Sequence, residues 1–262
     1  RIYQPSKTGR VSCKPVVNDR MFGVASNDGI YHIIKMAETG VGLDEIYGYI
    51  PRAVLPKLKD YKDGLTHHYI NDGISQHMTF CQESKTSGGE DYEFKSIVIG
   101  TTGRGGSAVY AIDVTNSTPK LLWEYNSSTL EGLGLTIPAI TNSFLGDGTP
   151  VLIISSGYYD KKAGVPASSV SNGHIYIVNA LTGNRIENDA FTLGSSAVGS
   201  PFAYDHNSDG MLDEIYVGDF VGDVWKISYA YNADTNQHIW SKSKFFDHTT
   251  AKVEKGGSIV ER

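Results

Sequence analysis

The sequence predicts an all-β fold, a modified β-propeller of four-stranded blades, and three observations predict it. One unit recurs four times: an apolar strand, a Gly/Asp/Asn turn, a second strand centred on an aromatic, and a polar turn. Short β-branched and aromatic runs, roughly every 8 to 12 residues, are separated by Asn-Asp-Gly, Gly-Gly and Thr-Gly. No window longer than a few residues keeps a 3.6 period; RAVLPKLKDY, 52–61, approaches one, and Pro56 interrupts it.

The first copy is MFGVASNDGIYHIIKMAETG, residues 21–40, and the second SIVIGTTGRGGSAVYAIDVTNSTPKLLWEY, 96–125. The third runs from VLIISSG at 151 through NGHIYIVNALTGNRI, ending at 186; the fourth is EIYVGDFVGDVWKISYA, 214–230, followed by HIWSKSKFF. Aligning the aromatics places Tyr31, Tyr110, Tyr176 and Trp225 at one point of the second strand. Three copies follow a proline-bearing strand: SCKPVV at 12–17, TIPAI at 136–140 and GSPFAY at 199–204. This is the grammar of consecutive antiparallel meanders, that is, of propeller blades. The unequal starts imply insertions at about 52–92 and 157–172, and loops of that kind commonly carry function.

At 262 residues the chain is read as a single propeller domain spanning 1–262. Its opening, RIYQPSKTGR, has neither an initiating Met nor a visible signal peptide, so the chain is read as a cut from a longer precursor. A net charge of −6 without any Lys/Arg cluster argues against nucleic acid as partner. No apolar run approaches the roughly 18 residues that cross a bilayer. Cys13 and Cys81 are too far apart for a zinc knuckle; a disulfide and two separate thiols both remain open.

The most informative stretch is DHNSDGMLD, 205–213. Side-chain oxygens recur at Asp205, Asn207 and Asp209, Gly210 supplies a sharp turn, the Met211 carbonyl can point inward and Asp213 closes the shell. Five or more oxygens wrapped round one point suit Ca²⁺, which takes hard oxygen ligands at about 2.3–2.6 Å. The start resembles an EF-hand loop, but Tyr216 stands where that loop carries Glu, and a strand follows rather than a helix. The site is therefore a nine-residue loop closed by Asp213, feeding the strand EIYVG. The competing reading is an Asx-rich surface turn.

Other candidates fit structural roles better. Asp147 and Gly148 in SFLGDGTP read as a turn, and so do Asp219 and Asp223 in GDFVGDVW, with Asp219 a secondary candidate to brace the metal loop. His67, His68 and His77 match no zinc spacing. GRGGS at 103–107 is read as a hairpin turn rather than an anion cradle. Trp123, Trp225 and Trp240 are read as packing. No nucleophile elbow, P-loop or dinucleotide fingerprint is present, so no catalytic residue is assigned.

Several stretches together resemble the C-terminal propeller domain of the PilY/PilC family of type IV pilus-associated proteins. They are VASNDGIYHIIKMAETG, YGYIPRAVLPKLKD, GRGGSAVYAIDVTN, PKLLWEY, GTPVLIISSGY, GHIYIVNALTG and DHNSDGMLDEIYVGDFVGDVWKI, in order over about residues 20–230. The resemblance implies a modified propeller of about seven blades, of which four are recognisable here, forming the C-terminal part of a larger secreted protein. It also implies a place at the pilus tip and outer membrane, reached through the periplasm. The implied partners are pilins, minor pilins and the assembly machinery, together with a host-cell receptor. The implied role is to promote pilus assembly by opposing retraction and to support adhesion, virulence and twitching motility. Calcium held by Asp205, Asn207, Asp209, Met211 and Asp213 is implied to set the balance of extension against retraction. Arg-Gly-Asp is absent, so integrin binding is not implied. Two alternatives stand beside this reading: a quinoprotein-like dehydrogenase propeller, and a structural propeller in which calcium only stiffens a turn.

Overall fold

In the computed structural model, the described residues are 16–18, 21–37, 42–62, 71, 73, 75–86, 89–126, 129–130, 133, 139–157, 172–186, 190–196 and 199–249. They form sixteen strands and one short α-helix, arranged in four four-stranded antiparallel sheets. The chain divides into two compact units, Arg1–Asn126 and Ser127–Arg262, each holding two sheets.

In the first unit, β1 (Val16–Asn18), β2 (Met21–Ala25), β3 (Tyr31–Met36) and β4 (Leu43–Tyr49) make one sheet. β5 (Ser75–Thr86), β6 (Gly89–Thr101), β7 (Ala108–Asp113) and β8 (Lys120–Asn126) make the next. In the second unit, β9 (Ala139–Phe144), β10 (Pro150–Ser155), β11 (His174–Asn179) and β12 (Phe191–Thr192) form the third sheet. β13 (Phe202–Tyr204), β14 (Glu214–Gly218), β15 (Val224–Asn232) and β16 (Gln237–Phe246) form the fourth. Each strand pairs with its sequence neighbour, because short turns leave an antiparallel partner nearest at hand. Strands β1, β9 and β13 each begin just after a proline, which has no N–H to give a ladder and so suits a strand start.

Two expectations change. Of the supposed insertion at 52–92, residues 75–86 form β5, whose Met78 and Phe80 are buried; the inserted part narrows to the stretch before it. The stretch holds a 3-10 turn, Arg52–Val54, leading into α1 (Leu55–Lys62). Pro56 sits in the first turn of α1, where a missing N–H breaks no helical bond, so it opens the helix instead of interrupting it. Residues 158–171, the centre of the other expected insertion, lie outside the described residues.

The central hairpin of every sheet is closed at a buried polar residue. The amides of Ser26, Thr102, Ser156 and Asp219 donate to the carbonyls of Ile30, Ala108, His174 and Asp223 at 3.0, 3.1, 2.9 and 2.9 Å. Counting two residues on from each carbonyl gives His32, Tyr110, Tyr176 and Trp225. The alignment of Tyr31 with the other aromatics is therefore one residue out: His32 occupies that place and Tyr31 points to the opposite face. There Tyr31 is fully buried and meets Tyr110 edge-on, ring centroids 5.6 Å apart.

Alternation along the strands supplies the cores. In the first unit Ala25, Tyr31, Ile33 and Tyr49 pack with Val98, Tyr110, Ile112 and Val114. In the second, Val151, Ile153, Ile175 and Ile177 pack against Ile215, Val217, Ile227 and Tyr229. The outer face of the fourth sheet departs from this pattern. Where the third sheet has Val151, Ile153 and Ile177, the fourth has Glu214, Tyr216 and Lys226. The Glu214 carboxylate accepts from both Lys226 and Tyr216, and Phe202 and Phe245 beside them stay exposed.

Candidate functional site

Strands β13 and β14 pair through Phe202–Tyr216, Ala203–Ile215 and Tyr204–Glu214, so residues 205–213 form the hairpin loop between them. The Asp213 amide closes it by donating to the Tyr204 carbonyl at 3.0 Å. Leu212 anchors the loop: its side chain is buried and its amide donates to the Phe144 carbonyl at 2.7 Å. Ser208 and Gly210 adopt φ of 64° and 86°, and these two left-handed residues curl the chain on itself.

The curl turns the oxygen-bearing side chains onto the loop's own amides. Asp205 Oδ1 accepts from the Asp209 amide at 3.2 Å, and its Oδ2 from the Gly210 amide at 2.7 Å. Asn207 Oδ1 accepts from the Asp209 amide at 3.0 Å, and its Nδ2 donates to Asp209 Oδ2 at 3.0 Å. Asp209 Oδ1 accepts from the Met211 amide at 2.8 Å, and Asp213 Oδ2 from the His206 amide at 2.7 Å. Asp205, Asn207 and Asp209 are thus tied together, while Asp213 is held on the His206 amide, and the Asp205, Asp209 and Asp213 carboxylates do not all come within 4.8 Å of one another. Their donor set is entirely hard oxygen, with lone pairs to spare on each carboxylate, which fits calcium and not a soft metal.

A second cluster was not legible in the sequence. Asp223, Asp247 and His248 bring ligand atoms within 4.8 Å of one another, the one such trio among the described residues. His248 reaches Asp223 Oδ1 through both its amide, at 2.9 Å, and Nδ1, at 2.7 Å. The Lys244 ammonium lies 2.7 Å from Asp223 Oδ2 and 3.2 Å from Asp247 Oδ2, so the trio already holds a cation. Burial pushes the Asp223 carboxyl up, but hydrogen bonds from Lys244 and His248 outweigh it and hold the pKa at about 2.

The remaining candidates fall into structural places. Asp219 binds its own turn and Trp225. Asp147 caps a turn through the Thr149 amide at 2.9 Å. Residues 103–105 form the 3-10 turn between β6 and β7, and the Thr102 hydroxyl accepts the Ala108 amide. His77 lies 2.7 Å from the Ser96 hydroxyl, and burial pushes its pKa down. Trp123, Trp225 and Trp240 lie on β8, β15 and β16. Cys81 is exposed on β5; Cys13, His67 and His68 lie outside the described residues.

Successive four-stranded antiparallel meanders, each closed at an equivalent buried hairpin residue, define a protein of the β-propeller class. The chain belongs to the PilY1 beta-propeller domain family, whose profile matches residues 10–242. It is 32% identical over 212 residues to a type IV pilus biogenesis factor PilY1 homolog of Xylella fastidiosa, covering 80% of this chain and 16% of that protein. It is 31% identical over 225 residues to type IV pilus biogenesis factor PilY1 of Pseudomonas aeruginosa strain UCBPP-PA14, covering 82% and 18%. Among solved structures it is similar to the P. aeruginosa PilY1 C-terminal domain, with 25% identity and a TM-score of 0.56, covering 82% of this chain and 40% of that one. The chain thus spans less than a fifth of the length of these curated relatives.

Proposed function

We propose that this chain is a calcium-binding, non-enzymatic propeller domain, both units included, of a larger secreted type IV pilus biogenesis factor at the cell surface. The observation that carries this reading is the nine-residue, all-oxygen loop closing the β13–β14 hairpin in a chain of the PilY1 family. Asp205, Asn207, Asp209, the Met211 carbonyl and Asp213 hold the ion. Calcium, when bound, neutralises the three carboxylates that the loop carries within nine residues, Asp205, Asp209 and Asp213. The loop's residues then keep the curl closed and fix the entry to β14. A change of this kind shifts a conformational population only through differential affinity for the two forms. The partners are pilins, minor pilins and the assembly machinery, with a host-cell receptor for adhesion, and the outcome is pilus extension favoured over retraction.

Three carboxylates and one amide suit an affinity of roughly 10⁻⁶ to 10⁻⁴ M. Calorimetry with CaCl₂ tests the site: wild type gives heat at one equivalent and Asp205→Ala gives none. Equal heats from both remove the site. A second reading, calcium as stiffener only, draws on the extent to which the loop already satisfies its own amides. Pilus counts in a strain carrying Asp205→Ala separate the two, because a stiffener leaves extension and retraction balanced.

A further inference from the structure

The loop at 205–213 does not stand alone. Residues 145–149, between β9 and β10, connect the corresponding two strands of the neighbouring sheet. This second loop is a tight turn, with the Leu145 amide donating to the Thr149 carbonyl at 2.9 Å and the Gly148 amide to the Leu145 carbonyl at 2.8 Å. Its tip, Gly146–Gly148, is exposed, while Leu145 is fully buried.

Tyr229 on β15 touches both loops. Its amide donates to the Asp213 carbonyl at 2.8 Å, at the end of the 205–213 loop. Its hydroxyl accepts from the Gly146 amide at 3.1 Å and lies 3.0 Å from His238 Nδ1. The other His238 nitrogen lies 3.6 Å from Asp147 Oδ2. Gly146 is also pressed against β15: a Cβ built there falls 2.6 Å from Tyr231 Cβ, a distance real side chains do not tolerate. A second tether runs through Leu212, whose amide binds Phe144 just before the second loop. Two loops from neighbouring sheets thus share one joint at the buried Tyr229, and packed joints respond by switching between arrangements rather than by stretching.

We infer that the 145–149 loop moves with the 205–213 loop as one unit hinged on Tyr229, so that the exposed Gly146–Gly148 tip reports the state of the calcium loop. Tyr229 is a positioning residue here: it holds backbone groups of both loops and is not a ligand. The inference rests on the calcium reading for its physiological trigger, but the joint itself is a property of the chain.

Amide hydrogen exchange followed residue by residue on the 262-residue chain tests it in two arms. In the first, without metal, Gly146→Ala should speed exchange at Leu212 and Asp213 about fivefold or more, the lower end of usual site-to-site coupling. Unchanged rates there overturn the joint, whatever calcium does. In the second, CaCl₂ should slow exchange at Leu145, Gly146 and Gly148 in wild type by a similar factor. Tyr229→Phe should keep the calcium heat and lose that slowing, since it deletes the acceptor of the Gly146 amide and leaves its own amide bond to Asp213 intact. Calcium heat with no slowing at 145–149 overturns the inference. Absence of calcium heat in wild type overturns the calcium reading alone, and the joint is then decided by the Gly146→Ala arm.

Discussion

The indole N–H of Trp225 donates to Asp219 Oδ2 at 2.9 Å, while Oδ1 of the same carboxylate accepts the amides of Val221 and Asp223 at 3.1 and 3.0 Å. One fully buried carboxylate therefore closes the β14–β15 turn and fixes the ring two residues beyond it. His32 stands in the same place in the first sheet and likewise turns a ring nitrogen to a turn carboxylate, Asp28, at 3.2 Å. Removing the carboxylate strands one buried donor, the Asp223 amide, and two partly buried ones, the Val221 amide and the Trp225 indole, and a fully buried donor left unpaired costs about 1–3 kcal/mol. Asp219→Ala should lower the stability of the second unit by roughly 3 kcal/mol, and Asp219→Asn, which keeps one acceptor oxygen, by about half that. Urea unfolding followed by Trp fluorescence measures both; two variants as stable as wild type would deny the carboxylate this role.

The Asp219–Trp225 relationship also marks the limit of what the sequence made legible. The repeat was visible because each sheet is made of consecutive strands, so its hairpins leave local, alternating signatures. The equivalence of Tyr31 with Tyr110 failed because it matched aromatics by type. The position requires a ring that follows the closing hairpin bond by two residues, and the tight Ser26–Ile30 turn puts His32 there. Strand β5 was overlooked because its Gln, Ser and Thr dilute the apolar alternation that Met78 and Phe80 carry. The 205–213 loop was legible as the turn feeding β14, since nine consecutive residues are a local object. The Asp223–Lys244–Asp247–His248 cluster was not, because it joins the start of β15 to residues at and beyond the end of β16, across the irregular register at Val224 and Trp225.

The first sheet should carry a pH dependence centred on His32. Its Nε2 faces Asp28, and its Nδ1 lies 2.7 Å from Glu45 Oε1, so both bonds are donated together only by the protonated ring. The Asp28 hydrogen bond raises the His32 pKa against the opposing effect of burial, and Glu45 adds to it. Burial pushes Asp28 up, but His32 and the Ile30 amide pull it below 3.8 overall. The raised histidine gives stability fully present below 6.5 and lost as pH rises through its folded pKa. The lowered aspartate gives stability present above 3.8 and lost as pH falls through its own folded pKa. The difference in urea midpoint between wild type and His32→Gln should therefore be largest between these limits and shrink towards pH 8.5. A difference constant with pH would refute the assignment.

Two glycines should respond to alanine for different reasons. A Cβ at Gly100 falls 2.5 Å from Tyr110 Cζ and Oη, and that ring is fully buried between Tyr31 and Tyr49. Overpacking of this kind costs typically 1–3 kcal/mol and disturbs the aromatic cluster. At Gly148 nothing lies within 4 Å, but φ is +80°, so Ala pays about 1–2 kcal/mol in backbone strain alone. Near-ultraviolet circular dichroism distinguishes them: Gly100→Ala should change the tyrosine signal, whereas Gly148→Ala should lower the melting temperature and leave that signal unchanged.

Calcium should stabilise the second unit through Asp213, whose carboxylate accepts the His206 amide while its carbonyl accepts the Tyr229 amide. A ligand that binds only the folded state adds RT ln(1 + [L]/Kd), about 2–5 kcal/mol at 5 mM CaCl₂ for an affinity of 10⁻⁶ to 10⁻⁴ M. For a chain of this size that is a rise in melting temperature of roughly 5–15 °C. Asp213→Ala removes a proposed ligand carboxylate and leaves the backbone carbonyl in place, so its sheet should still form while the calcium-induced rise falls below about 2 °C. Each variant is compared with itself in CaCl₂ and in chelator, which separates loss of binding from loss of intrinsic stability. An undiminished rise in Asp213→Ala would remove this carboxylate from the site, and a rise produced equally by MgCl₂ would show that the curl does not select the larger ion.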